Sequence, residues 1–136
     1  MKILLLEDDM NRVVQFEKRV KELNERNENQ SELVHVETAE ECIKEIDNST
    51  EETKFALILL DHDLGGEVYV STDNKNTGSE VARWINKNPE KIHGTSVITH
   101  TFNPAGAKNI MGLINGCVYI PAVWLKDKFH TSIQVN

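Results

Sequence analysis

Two runs of aliphatic residues, at positions 2–6 and 55–60, are the most apolar segments of the chain. Neither run alternates between apolar and polar residues, which is typical of strands covered on both faces of a parallel sheet. Residues 33–36, the β-branched segment 95–99 and residues 118–120 have the length and composition of further strands. The pattern therefore predicts five strands, with residues 55–60 near the centre of the sheet.

Segments with helical periodicity separate these strands. Residues 11–24 repeat apolar residues at helical spacing with charged residues between them, which predicts an amphipathic helix. Thr38 opens a capping box for a second helix, and either Thr77 or Ser79 caps a third. A fourth helix follows Pro104 and ends near residue 116. Because strands and helices alternate, we predict a doubly wound α/β fold with right-handed crossovers and one domain over residues 1–136.

The connection after the third strand, residues 66–77, is longer and more polar than the roughly two to six residues that usually join a strand to a helix. Extended loops of this kind are commonly lids or binding loops. Residues 67–70 are predicted to form a hairpin arm, and the tip at residues 73–76 either closes over a ligand or is a plain exposed loop. For the tail after Trp124 the pattern favours no particular structure.

Charge and composition narrow the partners. Fifteen basic residues against twenty-two acidic residues give a net charge of −7, which disfavours binding along duplex nucleic acid. No segment has the pattern of a signal peptide or a membrane span, so we expect a cytoplasmic protein. Cys42 and Cys117 lie among apolar neighbours and are expected to be small buried hydrophobes rather than a disulfide. The net charge is compatible with a small anionic ligand bound through a metal ion, and the sequence does not indicate the oligomeric state.

An acidic run closes each of the two most apolar strands. Glu7, Asp8 and Asp9 follow the first, and Asp61-His62-Asp63 follows the third. If the two strands are parallel neighbours, these carboxylates meet at the sheet edge where open α/β folds place ligands. Such a concentration of charge is unfavourable unless a divalent cation neutralises it, and carboxylate oxygens suit Mg²⁺ or Mn²⁺. The alternative is that acidic residues simply terminate both strands.

The order of elements and the acidic strand ends resemble the receiver domain of two-component response regulators, which has a flavodoxin-like five-stranded topology. This resemblance implies that Glu7 and Asp8 hold a cation together with Asp61, and that the carbonyl of Asp63 completes the protein ligands. Receivers of the usual kind carry a lysine followed by proline after the fifth strand, whereas this chain has Ile120 before Pro121. Phosphotransfer from a histidine kinase is therefore disfavoured, and a stand-alone phosphoacceptor receiver is kept as a second alternative.

The chain also contains DHDLGG at positions 61–66, TG at positions 77–78 and HTFNPAGAKNIM at positions 100–111. Together these segments are similar to those of the cyclic-phosphate-processing receiver-like family of bacteria and their phages. The similarity implies a divalent metal ion, a cyclic phosphate ligand and a ligand-binding set comprising Thr101, Asn103, Gly106, Lys108 and Asn109. From the residues alone, Asn103 is equally suited to capping the next helix, Gly106 to helix packing and Lys108 to solvent.

The chemistry that these residues support is metal-assisted hydrolysis of a cyclic phosphodiester. A cation held by Glu7, Asp8 and Asp61 would relieve charge at the phosphoryl oxygens and activate a water, and His100 would protonate the leaving oxygen. His62 is the alternative acid, although its position between two aspartates also suits a metal ligand or a structural hydrogen bond. The substrate would be a cyclic nucleotide or the terminal cyclic phosphate of an RNA. A binding module that sequesters a cyclic nucleotide without turnover is the alternative function.

Overall fold

In the computed structural model, which describes residues 1–27 and 30–121, a five-stranded parallel sheet has the order β2-β1-β3-β4-β5. The strands are β1 (Lys2–Leu6), β2 (Glu32–Val36), β3 (Leu57–Leu60), β4 (Ser96–Thr99) and β5 (Val118–Tyr119). The helices within the described ranges are α1 (Met10–Arg26), α2 (Ala39–Asn48), α3 (Gly78–Lys87) and α4 (Pro104–Leu113), with a 3₁₀ turn at Pro89–Ile92. The predicted doubly wound receiver topology is confirmed. The tail after Trp124 lies outside the described residues.

The central strands β1 and β3 are buried on both faces, as their uninterrupted apolar sequences predict. Leu4, Leu6, Ile58 and Leu60 belong to a core shared with α2, α3 and α4. The alternate residues Ile3, Leu5, Leu57 and Leu59 pack against α1, whose buried side chains are the four at the predicted helical spacing: Val13, Phe16, Val20 and Leu23. The two cores fix the sheet between its helices and align the carboxyl ends of the strands.

The connection between β3 and α3 is irregular, and the predicted hairpin arm at residues 67–70 is wrong. Three side chains, rather than a neighbouring strand, satisfy the backbone of Val70. Its N–H donates to Asp63 Oδ1 at 2.8 Å, and its carbonyl lies 2.8 Å from His62 Nε2 and 3.3 Å from Asn103 Nδ2. These contacts anchor the middle of the connection, next to its exposed residues.

Thr77, rather than Ser79, is the N-cap of α3, because its Oγ1 accepts a hydrogen bond from the Glu80 amide. Both cysteines are free thiols, with Cys42 buried and Cys117 half-buried. None of the described helices is long and apolar enough to cross a lipid bilayer.

Candidate functional site

Glu7, Asp61 and His100 lie side by side at the carboxyl edge of the sheet. The parallel register pairs the last residue of β3 with the last residues of both β1 and β4, so the next residue of each strand follows at the same level. One ligand atom from each of the three side chains lies within 4.8 Å of the others, and all three residues are at most 2% exposed. Two carboxylates and one imidazole form a donor set that fits a divalent metal ion.

Glu7 is the most heavily bonded member of this cluster. Its Oε1 lies 2.6 Å from Arg12 Nε and 3.0 Å from His100 Nε2. Its Oε2 accepts bonds from the amides of Asp8 and Asp9 and from Arg12 Nη2. Burial acts to raise the pKa of Glu7, but the hydrogen bonds from His100 and Arg12 outweigh it and hold the pKa well below its ordinary value. Glu7 is therefore the ionised carboxylate of the cluster.

Asp61 has the opposite electrostatic environment. Burial and the neighbouring charge of Glu7 raise its pKa from 3.8 to about 8, although Arg12 and the His62 amide act against the rise. The amide of His62 donates to Asp61 Oδ1 at 2.8 Å. Near neutral pH, the Glu7–Asp61 pair of the metal-free protein therefore retains one proton.

Arg12, which no sequence motif marks, supplies the positive charge of the cluster. Its guanidinium forms a bidentate contact with Glu7 and lies 3.4 Å from Asp61 Oδ2 and 3.4 Å from Asp9 Oδ2. Asp9 is the N-cap of α1, so Arg12 lies in the first turn of the helix, beside the end of β1. Its position three residues after the helix cap is the sequence feature that could have indicated this role for Arg12. A charged residue on an amphipathic helix is, however, usually solvated.

An open cleft of about 350 Å³ lies at the cluster. Charged side chains line part of the cleft, and Val68, Tyr69 and Phe102 form its apolar lip, where they are 78%, 73% and 49% exposed. The lining residues are Asp8, Asp9, Arg12, Asp61, Asp63, Gly66, Glu67, Val68, Tyr69 and Phe102. Asp61 is thus common to the buried cluster and the cleft, whereas Glu7 and His100 are not part of the cleft lining.

His100 is enclosed rather than open to the cleft. It is 1% exposed, and its ring makes an edge contact with Phe16 at 5.1 Å between centroids. Its Nε2 faces Glu7, while its Nδ1 has no hydrogen-bond partner among the described residues. In this arrangement the His100 ring contacts Glu7 and does not line the cleft.

His62 uses one ring nitrogen to hold the loop and the other to contact α3. Nε2 contacts the carbonyl of Val70 at 2.8 Å, and Nδ1 lies 2.9 Å from Ser79 Oγ. A Cβ added at Gly106 would lie 2.4 Å from His62 Cγ, so only glycine fits where α4 packs on the imidazole. Of the roles considered for His62, the structure shows the structural hydrogen bonds, and for Gly106 it shows helix packing.

The acidic residues that flank the cluster tie the loop to the cleft. Asp8 Oδ2 accepts a bond from the Gly66 amide at 2.7 Å. Asp63 Oδ1 accepts bonds from the Val70 amide and, at 3.1 Å, from Asn103 Nδ2. Both aspartates line the cleft, so the structure brings Asp8, Asp61 and Asp63 together as the sequence predicts.

The five residues predicted to bind the ligand do not line the acidic cleft. Thr101 is buried and accepts a bond from the Asn103 amide, and Asn103 in turn caps α4 through the Gly106 amide. Lys108 and Asn109 line a separate, shallower groove on α4. The segment 100–106 therefore builds the support of the cleft, and Phe102 is its one residue on the lip.

Comparisons with known proteins agree with this fold. The sequence model of the family described as "Cyclic-phosphate processing Receiver domain" matches residues 2–116. No curated protein matches the chain.

Among solved structures, the phosphorylated cyanobacterial phytochrome response regulator RcpA is 22% identical with a TM-score of 0.65, and the match covers 98% of this chain and 90% of that one. The Mn²⁺-bound form of response regulator Rcp1 is 23% identical with a TM-score of 0.60, over 98% and 90% of the chains. A receiver domain from Rhodospirillum rubrum is 18% identical with a TM-score of 0.65, over 100% and 95%. These likenesses show the fold alone.

Proposed function

Since the chain belongs to the cyclic-phosphate processing receiver domain family, we propose that it binds a divalent cation and a cyclic phosphate at the acidic cleft and hydrolyses the cyclic phosphodiester. One observation supports the proposal above all: the buried cluster of Glu7, Asp61 and His100 opens, through Asp61, onto a cleft large enough for a small ligand. The reaction adds water to phosphorus, breaks one ring P–O bond and leaves a phosphomonoester and a free hydroxyl.

Glu7, Asp61 and His100 are the residues that we assign to the cation. When bound, a divalent ion would neutralise the phosphoryl oxygens and lower the pKa of a water. Because imidazole nitrogen binds Mn²⁺ more readily than Mg²⁺, this set of two carboxylates and one imidazole favours Mn²⁺ over Mg²⁺. We assign His100 to this set rather than to proton donation, since it is 1% exposed and does not line the cleft. The leaving oxygen then takes its proton from the water that the open cleft admits.

The apolar lip supports a ligand that carries a base. Tyr69 and Phe102 are large exposed aromatic residues on the rim of a charged cleft. Stacking on an aromatic side chain contributes roughly 1–3 kcal/mol per base. Tyr69 also has a backbone φ of +54°, which is rare for an aromatic residue, and strained backbone of this kind clusters at active and ligand-binding sites. A cyclic nucleotide or an RNA terminal cyclic phosphate therefore fits better than a bare sugar phosphate.

The test is product formation. The protein is incubated with Mn²⁺ or Mg²⁺ and a panel of cyclic mononucleotides, cyclic dinucleotides and a short RNA ending in a cyclic phosphate, and the mixtures are separated by chromatography. We expect a ring-opened product from wild type and from Asp47→Asn, which changes an exposed carboxylate on α2, and none from Asp61→Asn. Absence of any ring-opened product in the panel would contradict hydrolysis.

The non-catalytic binding module is the second candidate, because none of the described residues that line the cleft carries an imidazole to act as an acid. In that case the same incubation depletes the nucleotide from solution and returns it intact after denaturation. A phosphoacceptor receiver would instead gain the mass of one phosphoryl group at Asp61 from a small phosphodonor such as acetyl phosphate.

The role of the lip is tested separately. Phe102→Ala and Tyr69→Ala are expected to weaken binding of a cyclic nucleotide about tenfold, within the range for loss of a stacked base. Binding of ribose cyclic phosphate without a base should change less than twofold. Equal losses for both ligands would show that the lip does not recognise a base.

A further inference from the structure

We infer that Arg12 is a movable cation: it neutralises the carboxylate cluster until a divalent ion binds there, and it then binds the phosphate of a ligand in the cleft. The inference rests on the proposed metal site. It adds a phosphate-binding residue and a coupling between metal and ligand to that site.

Arg12 and a metal ion require the same oxygen atoms. Arg12 Nε lies 2.6 Å from Glu7 Oε1 and its Nη2 lies 3.1 Å from Oε2, so both carboxylate oxygens of Glu7 are engaged. The same Nη2 lies 3.4 Å from Asp61 Oδ2. Glu7 and Asp61 are two of the three groups that can surround a cation. Because a guanidinium and a divalent ion repel each other at this range, one must leave when the other binds.

The cleft offers Arg12 contacts that its guanidinium can make after it leaves Glu7. The Arg12 side chain contacts Glu7 and is also one quarter exposed, and it lines the cleft. Its guanidinium carbon is 5.5 Å from the centre of the Phe102 ring on the lip, and its Nη1 is 3.4 Å from the partly exposed carboxylate of Asp9. Both partners lie on the cleft wall and would retain the guanidinium there after its release from Glu7.

An anionic ligand in the cleft needs the positive charge of Arg12. Arg12 is the one cationic side chain among the described residues that line the cleft, beside Asp8, Asp9, Asp61, Asp63 and Glu67. A guanidinium presents paired N–H donors that match two oxygens of a phosphate. Released from Glu7, Arg12 would place those donors at the wall of a cavity that otherwise repels anions.

The experiment measures two affinities in three variants. Calorimetry gives the affinity of the metal-free protein for Mn²⁺ alone, and then the affinity of the Mn²⁺-loaded protein for inorganic phosphate. Arg12→Met removes the charge, and Arg12→Lys keeps the charge but loses the fork of donors. Arg19→Met is the matched control, because Arg19 is on the same helix, has the same 25% side-chain exposure and pairs with Glu22 away from the cleft.

The two affinities should move in opposite directions. We expect Arg12→Met to bind Mn²⁺ at least tenfold more tightly than wild type, because its competitor is gone, and to bind phosphate at least tenfold more weakly once loaded. Arg12→Lys should shift both in the same directions by about threefold or more. Arg19→Met should match wild type in both. Circular dichroism verifies folding, and if Arg12→Met does not fold then Arg12→Lys decides the matter.

Four results would overturn the inference. Equal Mn²⁺ affinity of wild type and the folded Arg12 variants would show that Arg12 does not compete with the metal. Weaker Mn²⁺ binding in those variants would make Arg12 a fixed part of the site, and unchanged phosphate binding would remove its second role. If neither wild type nor the variants bind Mn²⁺, the proposed metal site is overturned together with the role of Arg12. If both affinity shifts occur but no hydrolysis is detected, the role of Arg12 stands and only the proposed reaction fails.

Discussion

Replacing Asp61 with asparagine is expected to stabilise the metal-free protein, and to do so much more at high pH than at low pH. The carboxyl of Asp61 is 2% exposed beside ionised Glu7, and its pKa is raised from 3.8 to about 8. The unfolded chain loses this proton near pH 4, whereas the folded protein keeps it up to about pH 8. Between these values the folded state holds one more proton, so the stability of wild type falls as the pH rises through this window.

The size of the effect follows from the pKa change. At about 1.36 kcal/mol per pKa unit, a rise from 3.8 to about 8 corresponds to roughly 6 kcal/mol. Because a folded site relaxes and admits water around an ionised group, we expect about half of this, ~3 kcal/mol, at pH 9. Asparagine retains the oxygen that accepts from the His62 amide and has no charge to desolvate. At about 3 °C per kcal/mol for a chain of this size, its Tm at pH 9 should exceed that of wild type by about 9 °C.

The assay is thermal unfolding in EDTA at pH 5 and pH 9. At pH 5 the carboxyl is protonated in the folded protein, so the two proteins should differ by only about 2 °C. Asp47→Asn, which changes a carboxylate 61% exposed, is the control and should show the same small difference at both pH values. A Tm gap for Asp61→Asn that does not grow with pH would refute the electrostatic reasoning. With Mn²⁺ in excess the order should reverse, because wild type gains binding energy that the variant lacks.

Other substitutions test the metal set and the support of the cleft. His100→Gln should weaken Mn²⁺ binding by about tenfold or more and Mg²⁺ binding by less, because imidazole nitrogen suits Mn²⁺ better; equal losses in calorimetry would remove His100 from the ligands. Gly106→Ala should lower stability to chemical denaturation by about 1–3 kcal/mol, because its Cβ would overlap the His62 ring. Gly112→Ala, on the same helix with nothing within 4 Å, should instead raise it by about 0.5–1 kcal/mol, and similar effects at both glycines would contradict the packing argument.

The sequence alone determined the architecture because each element carries its own periodic signal. The uninterrupted apolar runs of β1 and β3 reflect burial on both faces, and the spacing in α1 identifies the side chains that pack on one of them. The acidic residues directly after those runs could then be assigned to one sheet edge, since parallel strands end together. This reasoning places Glu7, Asp8, Asp61 and Asp63 at that edge, where the structure has Glu7 and Asp61 in the buried cluster and Asp8, Asp61 and Asp63 on the cleft lining. Their role in binding a metal ion stays a prediction.

Tertiary structure decided which groups meet at that edge and which of them solvent can reach. Arg12 looks like any charged residue of an amphipathic helix until the first turn of α1 places it against Glu7. His100 looks accessible at the end of a strand, yet Phe16 and Glu7 enclose it. His62 looks like a candidate acid until both its nitrogens are bonded to the protein. Periodicity records which face of an element is buried, but contacts between side chains distant in sequence arise only when the elements pack, and these contacts set charge, accessibility and chemistry at the cleft.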